Sequence, residues 1–371
     1  MIDYQKRRGD MYDLMAREGI ALAFFEDAEG RRDPTVRWLS GHPGDALLFL
    51  TVDRKTILVP WDVNLAVLYG QADSIVPYGV FDRRPLTALQ GVAKRLKIPR
   101  GSKIEIPPVT PYLLFLEYVG GLSDFDIICR NSGIHGEAEK LRAVKDEEEI
   151  RIYRTVAGIT NELISLLEEN IRSGKLKTEA DAALFIEAEA RGQGCEGTGF
   201  TTLAAGPDRS YGIHAFPPYT AAPFAGRGLS ILDFGLKYSG YTTDVTLTFV
   251  RDPSPAQEKL LALTEKAYKL ALSLVEDGRP AREIARMVDI LFGKSKKAMP
   301  HGLGHGIGLQ EHESPAIRDR EDNGWILKPG MIFTLEPGLY DPSLGGCRLE
   351  NDVLLTETGA EALTEARIVR L

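Results

Sequence analysis

The hydrophobic spacing of the first 130 residues or so alternates between helical and strand-like. The segments YQKRRGDMYDLMAREGI (4–20) and LTALQGVAKRLKI (86–98) have apolar positions at helical intervals. Between them, ALLFLTV (46–52) and KTILVP (55–60) predict a pair of strands. This part of the chain is therefore predicted to be an α/β segment, and it holds no cluster of His, Asp and Glu.

A long, densely charged segment follows, EAEKLRAVKDEEEIRIYRTVAGITNELISLLEENI (137–171). Dense charge followed by apolar positions at helical spacing predicts a connecting helix that opens a second domain. We therefore place the two domains at 1–135 and 136–371.

Two later segments resemble each other. SGKLKTEADAALFIEAEARG begins at Ser173, and DGRPAREIARMVDILFGKSK begins at Asp277, an offset of 104 residues. Each has a Gly, then four residues, a Glu and a helical apolar pattern, and Gly-rich, strand-like sequence follows each. The pattern predicts a duplicated helix-plus-strand unit; chance similarity between two amphipathic helices is the alternative.

Length and composition narrow the class of protein. A chain of 371 residues is long for one core and favours two domains. With 43% hydrophobic and 26% charged residues and a net charge of −8, it shows no basic stripe, so nucleic acid and anionic membranes are not expected partners. No apolar run reaches the length of a membrane span, no secretory h-region opens the chain, and three scattered cysteines suggest no disulfide framework. These features favour the cytoplasm.

The strongest hairpin pattern is GLSILDFGLKYSGYTTDVTLTFV (228–250). Its natural centre lies between Tyr238 and Ser239, a register that sets Asp233 directly opposite Asp244. Cross-strand partners have Cβ atoms roughly 4.5–5.5 Å apart, where like charges destabilise the sheet.

The same register pairs Phe234 with Thr243 on the opposite face. Facing aspartates among apolar neighbours need a cation or a shared proton to compensate them. The alternative is a slipped register with both carboxylates in solvent.

A second hairpin repeats this arrangement in MIFTLEPGLYDPSLGGCRLENDVLLT (331–356). Glu336 and Glu350 are symmetric about Ser343, so the hairpin tends to bring the two acids together. A single acid in a strand is commonly an edge or solvent-face residue, but two opposed acidic pairs are harder to explain in that way.

Four carboxylates and an imidazole are the ligands expected for two divalent ions, which in two-metal hydrolases lie about 3.5–4 Å apart and hold a bridging hydroxide. Oxygen-rich ligation favours Mn²⁺ or a similar metal over structural zinc. The sequence has neither common phosphate-binding glycine pattern and no GxSxG nucleophile motif.

The segment HGLGHGIGLQEHESP (301–315) concentrates three of the six histidines, His301, His305 and His312. The first two are four residues apart, as in the HExxH helix of zincins. However, the Glu is missing and alternate glycines disfavour a helix by about 1 kcal/mol each. The segment is therefore predicted to be strand and loop whose backbone approaches a ligand closely. For any one of these histidines, a purely structural role is the alternative.

Four blocks carry a family resemblance: ILDFGLKYSGYTTDVT, HGLGHGIGLQEHE, TLEPGLY and CRLENDVLL. With them the chain resembles the metallopeptidases of the creatinase/aminopeptidase P/prolidase group. VRWLSGHPGDALLFLTVDRKTILVP also resembles the group's smaller N-terminal domain, which argues against methionine aminopeptidase. The resemblance implies an α+β fold: a pita-bread catalytic domain with a pseudo-twofold repeat, preceded by a creatinase-like α/β domain.

The resemblance also implies a set of metal ligands for two divalent ions, with Mn²⁺ first and Co, Zn or Fe as alternatives. Asp233 and Asp244 would bind one ion. His305 and Glu336 would bind the other, while Asp244 and Glu350 bridge the pair.

Other residues gain roles by the same motifs. Glu336 would accept the proton of the nucleophilic water, and His312 would stabilise the tetrahedral intermediate or shuttle protons. His301 would be a substrate-side residue and not a ligand. His214 would lie near the substrate proline, with Arg348 as a charged contact beside the site.

The activity implied is hydrolysis of the bond before proline, and the compact length favours Xaa-Pro dipeptides, as in prolidase. Aminopeptidase P, acting on longer Xaa-Pro peptides, is the alternative. A metal-free creatinase-like hydrolase and a non-catalytic binding protein are remote alternatives, because those relatives lose ligands that are present here. The group also suggests a homodimer.

Two departures from the family pattern affect the substrate more than the metals. AAGPDRSYGIHAFPP, the block around His214, is looser than the form common in prolidases. Gln310 and Glu311 replace a more usual acidic-then-apolar pair before His312.

Overall fold

The computed structural model describes residues 2–371 and divides into two compact units. The first extends to Arg142 and the second comprises Ala143–Leu371. The division thus falls seven residues after the predicted position at 135.

The first unit is an α/β layer structure. Its helices are α1 (Tyr4–Glu18), α2 (Pro34–Ser40), α3 (Val63–Tyr69), α4 (Pro85–Arg95), α5 (Tyr112–Gly121) and α6 (Ile134–Ala143). Its strands are β1 (Ile20–Asp27), β2 (Ala46–Thr51), β3 (Thr56–Pro60), β4 (Ser74–Ile75), β5 (Lys103–Ile106) and β6 (Asp126–Cys129). They form one sheet in the order β4-β3-β2-β1-β5-β6, and β2 pairs with β3 as predicted.

The predicted single connecting helix is wrong, because the segment forms two helices. α6 ends at Ala143, and α7 (Glu147–Arg172) begins after Asp146. The Asp146 carboxylate accepts from the backbone N–H groups of Glu148 and Glu149, and the Glu149 side chain accepts from the Asp146 N–H. This capping box starts a new helix where helical periodicity alone suggests continuity.

The second unit has four helices and fourteen strands over Ala143–Leu371. After α7 come α8 (Glu179–Gly192), β7 (Gly197–Thr198), β8 (Leu203–Ala205), β9 (Gly228–Phe234), β10 (Leu236–Tyr238), β11 (Tyr241–Thr242) and β12 (Val245–Arg251). Then follow α9 (Pro255–Ser273), α10 (Ala281–Lys294), β13 (Gly304–Gly306), β14 (Glu313–Ile317), β15 (Ile332–Leu335), β16 (Gly338–Asp341), β17 (Gly345–Arg348), β18 (Asn351–Thr356), β19 (Gly359–Ala362) and β20 (Ile368–Arg370).

This order repeats once, as the sequence predicts. The two similar segments form α8 and α10, each the second of a pair of helices, and each pair leads into an antiparallel hairpin: β9 with β12, then β15 with β18. The two hairpins belong to sheets ordered β20-β12-β9-β8 and β14-β13-β15-β18-β19.

The two hairpins meet along β12. Thr246 and Glu350 exchange backbone hydrogen bonds of 3.4 and 3.2 Å, and the Thr248 hydroxyl donates to the Arg348 carbonyl at 2.8 Å. The buried core of this unit includes Val250, Phe333 and residues of α9 and α10. The acidic pairs of the two halves are thereby brought to one place.

Candidate metal centre

The predicted pairing of Asp233 with Asp244 is wrong by two residues. Asp233 lies opposite Thr246, and Asp244 immediately precedes β12. A shift of two residues keeps a side chain on the same face of a strand. Both aspartates are therefore still directed into the same buried region, and the charge of Asp233 contributes to raising the pKa of Asp244.

The cause of the shift is the turn. The hairpin centre lies between Ser239 and Gly240, both with positive φ (50° and 88°), as a two-residue primed turn requires. Phe234 consequently pairs with Val245 and not with Thr243 as predicted.

The second hairpin has the predicted register. Its ladders are centred on Ser343, with Leu335 opposite Asn351. Glu336 and Glu350 are equidistant from that centre and directly follow and precede these ladder residues. The symmetric sequence pattern thus identified their approach correctly.

His305 is contributed by β13, a strand as predicted, and its glycines allow close approach to a neighbouring backbone. A Cβ at Gly304 would lie 1.9 Å from the Thr334 carbonyl oxygen, so only glycine permits this approach. His305 Nδ1 lies 3.1 Å from the Gly306 carbonyl, which requires Nδ1 to carry the proton. Nε2 is then the nitrogen that carries the lone pair.

That lone pair faces the carboxylates. His305 Nε2 lies 3.7 Å from both Asp244 Oδ2 and Glu336 Oε1. One ligand atom each from Asp244, His305 and Glu350 lie within 4.8 Å of one another. Such a mixed oxygen and nitrogen set can hold a divalent ion.

A buried carboxylate oxygen without a hydrogen-bond partner in the described chain also indicates that the residues fit a cation. Asp233 Oδ1 is buried and accepts no hydrogen bond from the described residues 2–371. Buried carboxylate oxygens are normally paired. An ion bound between the two hairpins would supply that missing partner.

The carboxyl groups show the electrostatic cost of this arrangement. Burial, and then the charge of Glu350, raises the pKa of Asp244 and of Glu336 well above the ordinary range. Burial, followed by the charge of Asp233, raises the pKa of Glu350 to about 7. Without a cation, the cluster therefore favours protonated carboxyls.

The histidines are shifted in the opposite direction. Burial, with a smaller contribution from His312, lowers the pKa of His305 to about 3. Burial likewise lowers the pKa of His301 to about 4. Both imidazoles are therefore neutral near pH 7, the state in which a histidine can bind a metal or accept a proton.

Arg348 is the buried cation that partly balances the acids. Its Nη2 donates to Asp233 Oδ2 at 2.5 Å and its Nε to the Thr246 hydroxyl at 2.9 Å. Its Nη1 donates to the Tyr340 hydroxyl at 2.8 Å and the Ile213 carbonyl at 3.0 Å. The structure thus places Arg348 beside the site, as expected, with these donors directed to protein atoms.

His301 lies at the edge of the same network. Its Nε2 is 2.9 Å from the Tyr340 hydroxyl, and its Nδ1 is 2.8 Å from the Gly302 carbonyl and 3.6 Å from Glu336 Oε2. It is near the acids without sharing the close group formed by Asp244, His305 and Glu350.

The two remaining predicted histidines are exposed at the rim. The His312 ring lies against the His305 ring, with centroids 4.1 Å apart. A charge on His214 would lower the pKa of His301, which places His214 on the His301 side.

Comparison with known proteins identifies the family. Residues 151–357, more than half of the chain, match the model of metallopeptidase family M24. The chain belongs to this family. The M24 match spans both acidic hairpins and the histidine segment, and the family implies divalent metal ions.

The similarity to known proteins extends beyond residues 151–357 to nearly all of the chain. An Xaa-Pro dipeptidase of Pyrococcus horikoshii is 32% identical over 90% of this chain and 91% of its own length. An Xaa-Pro dipeptidase of Pyrococcus furiosus is 36% identical over 61% of this chain and 64% of its own length. The solved structure of an X-Pro aminopeptidase from Thermotoga maritima is 26% identical, with a TM-score of 0.84 and coverage of 98% and 99% of the two chains.

These likenesses confirm the α+β pita-bread fold and show that this M24 protein is a peptidase. No helix among residues 2–371 is long and apolar enough to cross a membrane.

Sequence reasoning missed two residues of the M24 site. Tyr340 joins His301 to Arg348 through its hydroxyl, and Asp352 accepts from the Asp244 N–H at 3.2 Å. Asp352 is a fully buried acid in a run of β-formers, so the criterion that identified Glu350 could also have found it. Tyr340 carries no such signal, because a tyrosine in a strand is ordinary.

Proposed function

We propose that this metallopeptidase hydrolyses the peptide bond before proline, with a preference for Xaa-Pro dipeptides. The observation that carries the proposal is the convergence of four carboxylates, three of them buried and one half-buried, and one neutral imidazole from two hairpins and β13. The names of the relatives supply the substrate class, since a protein 32% identical over 90% of the chain is an Xaa-Pro dipeptidase.

Two divalent ions, Mn²⁺ first, would be held by five residues. Asp233 and Asp244 would bind one ion, His305 and Glu336 the other, and Asp244 and Glu350 would bridge them. When bound, such ions activate a water molecule and polarise the substrate carbonyl.

The protein residues would supply proton transfer and charge stabilisation. Glu336 would take the proton of the attacking water and return it to the proline nitrogen, because it lies within the proposed ligand group, with Oε1 3.7 Å from His305 Nε2. His312, exposed beside His305, would donate to the developing oxyanion.

Substrate contacts would come from residues beside the acidic cluster. His301 and His214 lie on one side of the acids, and Arg348 supports that side through Tyr340 and the Ile213 carbonyl. We assign His301, His214 and Arg348 to the substrate side of the site.

Xaa-Pro aminopeptidase activity on longer peptides is the second candidate. An X-Pro aminopeptidase shares the fold over nearly the whole chain with a TM-score of 0.84, so the fold is compatible with this activity as well. A homodimer, a cytoplasmic location and a creatinase-like first unit complete the proposal.

The test compares Ala-Pro, Ala-Pro-Ala and Ala-Ala as substrates of the Mn²⁺-loaded protein. We expect the highest kcat/KM for Ala-Pro, cleavage of Ala-Ala near background, and loss of activity after exhaustive chelation. A strong preference for the tripeptide would replace the dipeptidase assignment by the aminopeptidase one, and full activity after chelation would refute the metal site.

A further inference from the structure

Residues 206–220, the first part of the segment between β8 and β9, form a loop that is fastened to the candidate site. Arg348 Nη1 donates to the Ile213 carbonyl at 3.0 Å, while another guanidinium nitrogen of Arg348 contacts Asp233. The Gly346 N–H donates to the Ser210 hydroxyl at 3.1 Å. The middle of loop 206–220 is therefore positioned directly against the second acidic hairpin.

A buried carboxylate closes the base of the loop. Glu179, the first residue of α8, is fully buried. Its Oε1 accepts from the Gly206 N–H at 2.8 Å. Its Oε2 accepts from the N–H and the hydroxyl of Thr220 at 2.8 and 2.7 Å. One side chain thus joins the first and last residues of the loop.

Arg209 completes this clamp. Its Nε lies 3.3 Å from Glu179 Oε1, which compensates the buried charge, and its Nη2 donates to the Pro217 carbonyl near the loop tip. Base, middle and tip each have their own polar attachment. Loop 206–220 is therefore preorganised rather than dependent on a ligand to order it.

The tip carries an aromatic side chain that this scaffold leaves in solvent. Phe216 is 94% exposed, the highest exposure among the large hydrophobic residues of the described chain. It follows His214 by two residues and precedes Pro217. Holding a phenyl ring in water on a rigid loop brings no benefit to folding. A benefit would arise on binding, when an apolar group covers the ring.

We infer that Phe216 is a specificity-determining residue that contacts an apolar ring or side chain flanking the scissile bond, and that Glu179 is its positioning residue. The inference rests on the proposed Xaa-Pro activity and deepens it. The contact made by Phe216 would select apolar peptides such as Leu-Pro over Gly-Pro.

The first test measures kcat and KM of Phe216→Ala on Leu-Pro and Gly-Pro. We expect kcat/KM for Leu-Pro to fall about tenfold, mainly through KM, as for removal of one apolar contact. Phe216→Leu should recover most of this loss. The control is Leu184→Ala, which truncates an exposed apolar residue on α8, outside loop 206–220. It should leave kcat/KM for both peptides unchanged.

The outcomes separate the two levels of the inference. If the unmodified protein cleaves neither peptide, the proposed function itself fails. If it cleaves Leu-Pro and Phe216→Ala has the same KM and kcat as Leu184→Ala, the role of Phe216 is overturned while the proposed function stands. An equal loss on both peptides would overturn the selection of Leu-Pro over Gly-Pro by Phe216.

A double-mutant cycle tests the role of Glu179. We expect Glu179→Gln to raise KM for Leu-Pro several-fold with unchanged metal content, and Phe216→Ala to have a reduced effect in that background. Glu189→Gln, on the same helix, should leave the effect of Phe216→Ala intact. Additive effects of Glu179→Gln and Phe216→Ala would overturn the positioning role.

Discussion

At the scale of single residues, burial shifts the pKa of both kinds of proposed ligand, the carboxyl groups and the imidazole. Burial raises the pKa of Asp244, Glu336 and Glu350 and lowers that of His305, so every group is shifted towards its neutral form. Such a cluster costs folding free energy unless a cation is bound. The groups proposed to bind a metal therefore destabilise the metal-free protein.

This cost gives Glu350 a pH-dependent effect on stability. Its pKa is about 7 in the folded protein and near 4.5 in the unfolded chain, so the folded state binds more protons between these values. Stability supplied by the protonated form is present below pH 4.5 and is lost as pH rises through 7. For Glu350→Gln in metal-free protein, we expect wild type to lose on the order of 3 kcal/mol relative to the variant between pH 4.5 and 8.

Urea unfolding in the presence of a chelator, at several pH values, measures this difference. Glu357→Gln, at an exposed position beyond β18, serves as the control for the loss of a surface carboxylate. A pH-independent difference between Glu350→Gln and wild type would contradict the burial of a charged carboxylate at that position.

At the scale of elements, the two hairpins show what sequence symmetry can determine. The Glu336 and Glu350 hairpin was predicted in register because its centre, Ser343, is unambiguous. In the other hairpin, KYSGYT permits two centres one residue apart. The left-handed conformations of Ser239 and Gly240 decide between them, and a one-residue change of centre moves the cross-strand partner by two.

Other elements depended on contacts distant in sequence. Apolar periodicity predicted α8 and α10 correctly, but it predicted one helix where the structure has α6 and α7. The Asp146 capping box interrupts the helix without changing its apolar pattern. The role of Tyr340 arises only when Arg348 on β17 and His301, in the loop before β13, approach it. The two hairpins and the acids that they bring together were thus predictable from the sequence, whereas the supporting hydrogen bonds were not.

Gly304 in β13 and Gly302 just before it permit a direct test of how this strand positions His305. A Cβ at Gly304 would lie 1.9 Å from the Thr334 backbone oxygen, whereas the nearest atom to a Cβ at Gly302 is 3.6 Å away. We expect Gly304→Ala to lower kcat/KM by about 100-fold and to weaken metal binding, because His305 must move with its strand. Gly302→Ala should stay within about twofold of wild type. Calorimetric titration with Mn²⁺ and steady-state kinetics measure both; equal effects of the two substitutions would refute this account of β13.

At the scale of the whole molecule, the five proposed ligands and their hydrogen-bonding partners all belong to Ala143–Leu371. The first unit has a separate core, built around Phe24, Phe49 and Tyr118. It contributes none of the five proposed ligands. Metal binding should stabilise the second unit first.

Tryptophan fluorescence can follow this stabilisation, since Trp325 lies in the second unit and Trp38 and Trp61 lie in the first. In a Trp38→Phe, Trp61→Phe background, Trp325 alone reports unfolding. At a free Mn²⁺ concentration of 100 times Kd, binding at one site adds about 2.7 kcal/mol, which corresponds to a Tm increase of roughly 5–10 °C for a unit of this size. Asp244→Ala in the same background should show no increase, because the residue proposed to bridge both ions is gone. An equal Mn²⁺-induced increase in that variant would place the metal somewhere other than between the two acidic hairpins.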